Sequence, residues 1–255
     1  MSQRTHLVVG AGPIGSAVVR RLVAQGDTVR VVTRSGSGPD LPGVEKVAAD
    51  AADSARMAEL AGGCDVVYNC VNPAYHRWAT DWPPVAAALL GAAERSGAVL
   101  VTTANLYGYG HVDRRITEDM PLTGGYVKAD VRNRMWLDAL AAHEAGRVRV
   151  TEARGADYVG PGAESHLGER VLPKVLAGKK AQVMRSLDTQ HTWTYTEDIL
   201  ALEPDGVFLP PPRPRAVLPA PRPCTRDRRG RLRPPPPDAS AMPCANNPPN
   251  RLAGS

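Results

Sequence analysis

The chain has 255 residues, 43% of them hydrophobic and 5% aromatic, and a formal net charge of +5 at pH 7. That length supports one sizeable hydrophobic core with room for a small second lobe. The charge does not mark a nucleic-acid-binding face: residues 1–202 carry 22 basic and 22 acidic side chains, and nine Arg against four acids after residue 202 account for the whole excess.

Alternating short apolar runs and helical patterns occupy residues 1–202 in chain order. Strands are predicted at Leu7–Val9, Val29–Val32, Val44–Ala48, Asp65–Tyr68, Val99–Thr102 and Val148–Ala153. They are rich in Val and nearly continuous, as strands covered on both faces should be. Helices are predicted between or after them, at Ile14–Gln25, Ser54–Leu60, Pro84–Ser96, Val127–Ala145 and Leu167–Leu176, with Gly26 and Gly97 just past two of the helix ends. This is the pattern of an α/β protein with a doubly wound, mostly parallel sheet. A further helix is predicted to start at Thr196–Leu202, in a small second lobe left incomplete.

The composition changes at Glu203: 15 of the 24 Pro lie in residues 203–255, and Lys disappears while Arg abounds. Runs such as Pro210–Pro212 and Pro234–Pro237 lack backbone donors. Two domains are therefore expected, residues 1–202 folded and residues 203–255 a disordered Pro/Arg-rich tail with polyproline II character. A reading-frame shift in GC-rich coding DNA would produce such a tail, and the apolar surface left uncovered would then lower stability.

Cys64, Cys70, Cys224 and Cys244 form no Cys-x-x-Cys pair and have no His cluster beside them. No metal site or disulfide framework is expected, and a reduced, cytoplasmic chain fits this usage. The N-terminus runs straight into a strand, so no signal peptide is expected, and no apolar run approaches the roughly 20 residues of a membrane span.

The strongest motif is Gly10-Ala-Gly12-Pro13-Ile14-Gly15, which follows the first strand and opens the first helix. Gly10 suits the tight turn, Gly12 a close approach to a pyrophosphate, and Gly15 close helix–strand packing. The helix N-terminus then offers free N–H groups to the phosphates. In this context the motif points to a Rossmann dinucleotide site, against the plainer alternative of a glycine-rich turn with no ligand. The second strand ends Val31-Val32-Thr33-Arg34 without a carboxylate for an adenosine 2′-hydroxyl. Arg34 offers a fork for a 2′-phosphate, so NADP is expected over NAD unless Arg34 is an ordinary solvated loop residue. Asp50 is a candidate acceptor for the adenine amino group or, alternatively, part of a helix cap.

Taken together, several segments resemble the NAD-dependent epimerase/dehydratase group of the extended and atypical short-chain dehydrogenase/reductases. They are the glycine turn, Asp50, Asn69-Cys70-Val71-Asn72-Pro73, Thr102–Gly108, Asp157–Gly162 and Thr192–Ile199. The resemblance covers about residues 5–202. It implies NAD(P)-dependent oxidation, reduction or epimerisation at a carbonyl or hydroxyl of a small metabolite, sugars and sugar nucleotides included, with Asn69, Cys70 and Val71 bordering the cofactor. It also implies a Ser or Thr that orients the substrate oxygen, a Tyr that moves the proton, and a Lys four residues later that stabilises the phenolate and holds the nicotinamide ribose.

Thr103 takes the hydroxyl position, with a turn-capping strand-end Thr as its alternative. Tyr126 and Lys128 are the candidate acid/base and ribose contact, but Asp130 stands four residues after Tyr126. Side chains at i and i+2 on a helix point about 200° apart, so the pair works only if Tyr126 lies before the helix. His76, Trp78, His166 and His191 fall near the expected mouth as pocket or packing residues. A small-molecule substrate is expected, with a homodimer as one available assembly. A non-catalytic NADP-binding regulator and a truncated inactive product are the competing expectations.

Overall fold

The computed structural model describes residues 3–163, 165, 167–183, 191–196 and 198, together with two short strands near the C-terminus. The chain divides into two units, Met1–Pro210 and Pro211–Ser255.

The first unit is built on a six-stranded parallel sheet. Its strands are β1 (Thr5–Val9), β2 (Thr28–Thr33), β3 (Val44–Ala48), β4 (Val66–Asn69), β5 (Val99–Asn105) and β6 (Arg149–Gly155). They lie in the order β3-β2-β1-β4-β5-β6, so the chain reverses its direction of travel across the sheet between β1 and β4. The register places Val8 beside both Val31 and Tyr68. Period-2 alternation divides the Val-rich strands between two cores. Leu7, Val9, Val32, Val67 and Leu100 face one layer, and Val8, Val29, Val31, Val66 and Val101 the other.

The second layer is closed by helix α1 (Pro13–Ala24), through Val18, Val19 and Leu22. The first layer is closed by α2 (Ser54–Ala61), α3 (Trp78–Ser96) and α4 (Val127–Glu144), through Met57, Leu60, Trp82, Leu89 and Ala142. These elements agree with the sequence expectations to within a few residues, except that α3 begins six residues before Pro84. Pro83 and Pro84 lie inside the helix. They remove two backbone donors, and burial of Trp78 and Trp82, at 5% and 1% exposure, holds the first turns in place. The Trp78 Nε1–H donates to the Pro73 carbonyl at 3.0 Å. A bidentate Arg77–Asp81 ion pair staples the helix start.

Beyond β6, the chain forms β7 (Asp157–Val159), which pairs in parallel with β8 (Trp193–Tyr195), a pair the apolar pattern did not signal. Leu167–Val171 winds as a π-helix and continues into a short α5 (Leu172–Leu176), where one α-helix was expected. The helix expected over Thr196–Leu202 lies largely outside the described residues, as does His166.

In the second unit, β9 (Thr225–Arg226) and β10 (Leu232–Arg233) pair antiparallel, Leu232 opposite Arg226. Both strands lie in the proline-free stretch between Pro223 and Pro234. Apart from these four positions, the expectation of disorder over 203–255 falls outside the described residues. Among the described residues no helix is long and apolar enough to cross a membrane, and no group of His, Cys, Asp or Glu is arranged to hold a metal ion.

Candidate active site

The glycine turn links β1 to α1. Gly10 has φ +98°, in the region that favours glycine, and a Cβ there would stand 2.5 Å from the Cys70 carbonyl oxygen of the neighbouring strand end. A Cβ on Gly15 would stand 1.9 Å from the Gly10 oxygen, so the helix meets the turn at a distance only glycine allows. Gly12 differs: a Cβ there would meet nothing within 4 Å. Gly12 is the N-cap of α1, Pro13 is its first residue, and the first turn contains no acidic side chain. Pro13 therefore spends no donor, while the Ile14 and Gly15 amides have no acceptor within the helix. The Ser16 hydroxyl donates to the Ala11 carbonyl at 2.9 Å and locks the turn. Open space over Gly12, free amides and no competing carboxylate fit a pyrophosphate.

Cys70 and Asn69 support this turn from β4. The Cys70 amide donates to the Val9 carbonyl at 2.8 Å, and burial pushes the thiol up to about 12, in keeping with its place in the packed core. Asn69 is buried, and its Oδ1 accepts the half-buried Val71 amide at 3.3 Å. Arg34 is exposed just past β2. Asp50 Oδ1 accepts the Ala52 amide at 2.9 Å, whereas Asp53 caps α2 through the Ala55 and Arg56 amides. The cap expected as one alternative for Asp50 is thus carried mainly by Asp53, three residues on.

At the carboxyl end of β5, the Thr103 hydroxyl donates to the Asn69 carbonyl at 3.0 Å. Tyr126 is the N-cap residue of α4, extended at φ −158° and 46% exposed. It lies before the helix, the condition the sequence set for it. Lys128, in the first turn, carries its ammonium 4.2 Å from the ring centroid of Tyr75. Tyr75 Oη donates to Tyr107 Oη at 3.1 Å, and the Tyr107 and Tyr126 rings lie 6.0 Å apart. Burial, reinforced by the Tyr75 bond, pushes the Tyr107 phenol well above its ordinary range. Tyr75, Tyr107, Tyr126 and Lys128 thus form one aromatic–cationic group at the sheet's carboxyl end. Asp130 is turned back to accept the Gly125 amide at 3.2 Å.

Other contributions were not foreseen. Tyr158 on β7 donates to the Ala104 carbonyl at 2.8 Å, and any side chain at Gly155 would strike its ring. Arg132, on α4, is 6% exposed, donates from Nη2 to the Thr103 carbonyl at 2.7 Å and stacks 4.7 Å from the Trp82 ring centroid. A buried Arg leaves no trace in hydrophobic periodicity, which reads it as a surface position. His76 lies in the exposed turn Tyr75–Arg77, and His191 pairs with Asp157 at 3.0 Å, a carboxylate whose charge also reaches Tyr107.

A family model described as the NAD-dependent epimerase/dehydratase family matches residues 6–202. No curated protein matches the chain in sequence. Among solved structures, the chain is similar to the enzyme WbmH of Bordetella bronchiseptica in complex with NAD+, with 20% identity, a TM-score of 0.67, and coverage of 81% of this chain and 73% of that one. It is also similar to a UDP-N-acetylglucosamine 4-epimerase from Methanobrevibacter ruminantium in complex with UDP-N-acetylmuramic acid, with 16% identity, a TM-score of 0.70, and coverage of 79% and 72%. A third is DesIV, a dTDP-glucose 4,6-dehydratase from Streptomyces venezuelae with NAD and TYD bound, with 22% identity, a TM-score of 0.66, and coverage of 77% and 70%. At these identities the structural likeness speaks to the fold. The family match, over most of the chain and over all six sheet strands but the start of β1, speaks to descent: the chain belongs to the NAD-dependent epimerase/dehydratase family.

Proposed function

We propose that residues 1–202 form a unit that binds a nicotinamide dinucleotide and oxidises, reduces or epimerises a carbonyl or hydroxyl carbon of a sugar nucleotide or similar small metabolite. The observation that carries the proposal is the turn in which Gly10 and Gly15 are sterically obligatory and Gly12 is open beside the N-terminus of α1. The cofactor would supply hydride acceptance and donation; the chain supplies position and proton handling.

In this account Gly10, Gly12, Pro13, Ile14 and Gly15 hold the pyrophosphate, and Asp50 faces the adenine. Asn69, Cys70 and Val71 form the floor beneath the cofactor. Arg34 supports recognition of a 2′-phosphate, hence NADP alongside NAD. Thr103 orients the substrate oxygen, and Tyr126 moves the proton to or from it. Lys128 stabilises the charge on the tyrosine group rather than on Tyr126 alone, because Asp130 occupies the fourth position after Tyr126.

A second reading has its own support. The Lys128 ammonium rests on Tyr75, which favours a nucleotide-binding regulator without turnover. The test is a turnover panel with UDP-glucose, UDP-galactose and dTDP-glucose at saturating NAD+ or NADP+, with tight-binding controls. Turnover that falls at least tenfold in T103A and Y126F supports the enzyme. Dinucleotide binding with no turnover across the panel supports the regulator.

A further inference from the structure

Between the carboxyl ends of β5 and β6 and the inner side of α4 lies a small recess with a cavity volume of about 10 Å³. Asn105, Tyr109, Arg132, Asn133, Glu152 and Arg154 supply its polar walls. Two guanidinium groups meet one carboxylate there. Arg154 binds Glu152 at 2.6 Å and the Tyr109 hydroxyl at 2.7 Å. Arg132 forms no ion pair among the described residues. Its one hydrogen bond there goes to a neutral carbonyl, and its Nε is buried with no acceptor. Glu152 acts on Arg132 only through space. The recess therefore holds a net positive charge out of water, an arrangement that is costly unless a counter-ion completes it.

We infer that this recess is a binding site for one compact monovalent anion, a halide or a formate-sized carboxylate, held between Arg132 and Arg154. The size excludes a nucleotide or a sugar. Glu152 in the wall disfavours a dianion such as phosphate, whose second charge it would repel. The site is separate from the glycine turn and does not depend on the proposed reaction.

The test uses the full chain in thermal unfolding at constant ionic strength, with sodium gluconate replaced stepwise by sodium chloride or sodium formate. Gluconate is too large to enter. Wild type should gain a saturable rise in Tm, roughly 3–6 °C at tenfold excess over the dissociation constant. Chloride and formate arms separate halide from carboxylate binding. R132M should lose the rise, and E152Q, which removes the repelling charge, should saturate at lower anion concentration. Equal responses to gluconate and to both small anions would overturn the inference, as would an R132M response equal to wild type. Should R132M fail to fold, E152Q decides: tighter saturation supports the site, and an unchanged curve contradicts it.

Discussion

Two glycines of one turn make opposite predictions, because their surroundings differ. G15A forces a methyl group onto the Gly10 carbonyl and should destabilise the fold by at least about 1–3 kcal/mol, measured by denaturant unfolding. G12A meets open space, so its stability should stay within about 0.5 kcal/mol of wild type, while affinity for a dinucleotide falls tenfold or more where the phosphates must approach. Wild-type affinity in G12A would remove the phosphates from this turn. Arg34 is tested in the same way: R34A should weaken NADP+ about tenfold or more and leave NAD+ within twofold, since only the 2′-phosphate meets a charge-assisted donor there. Equal losses for both nucleotides would make Arg34 a general anion contact.

At the scale of elements, α4 decides how Lys128 and the tyrosine group are arranged. Its N-cap sets Tyr126 outside the helix, and its first turn sends Lys128 to Tyr75. D130K restores a Lys four residues after Tyr126 and should raise turnover on whichever panel substrate wild type accepts; loss of turnover would show that the Tyr75–Lys128 contact is the working arrangement. The six strands of the main sheet and helices α1 and α2 were legible in the sequence because β-branched runs and helical periodicity agreed there, with Gly26 just past α1. The start of α3 was not, because Pro83 and Pro84 read as a boundary while two buried indoles carried the helix back to Trp78. The glycine turn was legible for the same reason as the strands: a local motif carries its own geometry. The tyrosine group was only half legible, since Tyr75 and Tyr107 are 32 residues apart and meet only once β4 and β5 are paired. Arg132 was invisible for want of any periodic signal.

For the whole molecule, two features bear on stability. His6 is fully buried on β1, bonded to Asp27 at 3.0 Å, and burial holds its pKa below the usual 6.5 despite that partner. The neutral ring donates from Nε2 and leaves Nδ1 a buried acceptor without a partner. The unfolded chain binds a proton at His6 near pH 6.5 and the folded chain does not. The stability present above pH 6.5 is therefore lost as pH falls toward the folded pKa. Tm should decline from pH 7.5 to pH 5.5, and H6Q should flatten that decline; an identical slope in H6Q would place the sensitivity elsewhere. The second feature is apolar exposure: Leu172, Val175, Leu176, Val183, Trp193 and Tyr195 are each 40% exposed or more. Such surface promotes association. V175K/L176K should lower light scattering at fixed concentration without changing dinucleotide affinity.

The central claim is that the amides at the start of α1 take a dinucleotide's phosphates, and isothermal titration of the full chain with NAD+ and NADP+ tests it most directly. One-to-one binding of at least one of them in the micromolar range, weakened tenfold or more in G12A, is the expected result. No heat of binding from either nucleotide at millimolar concentration, with the protein folded, would contradict it.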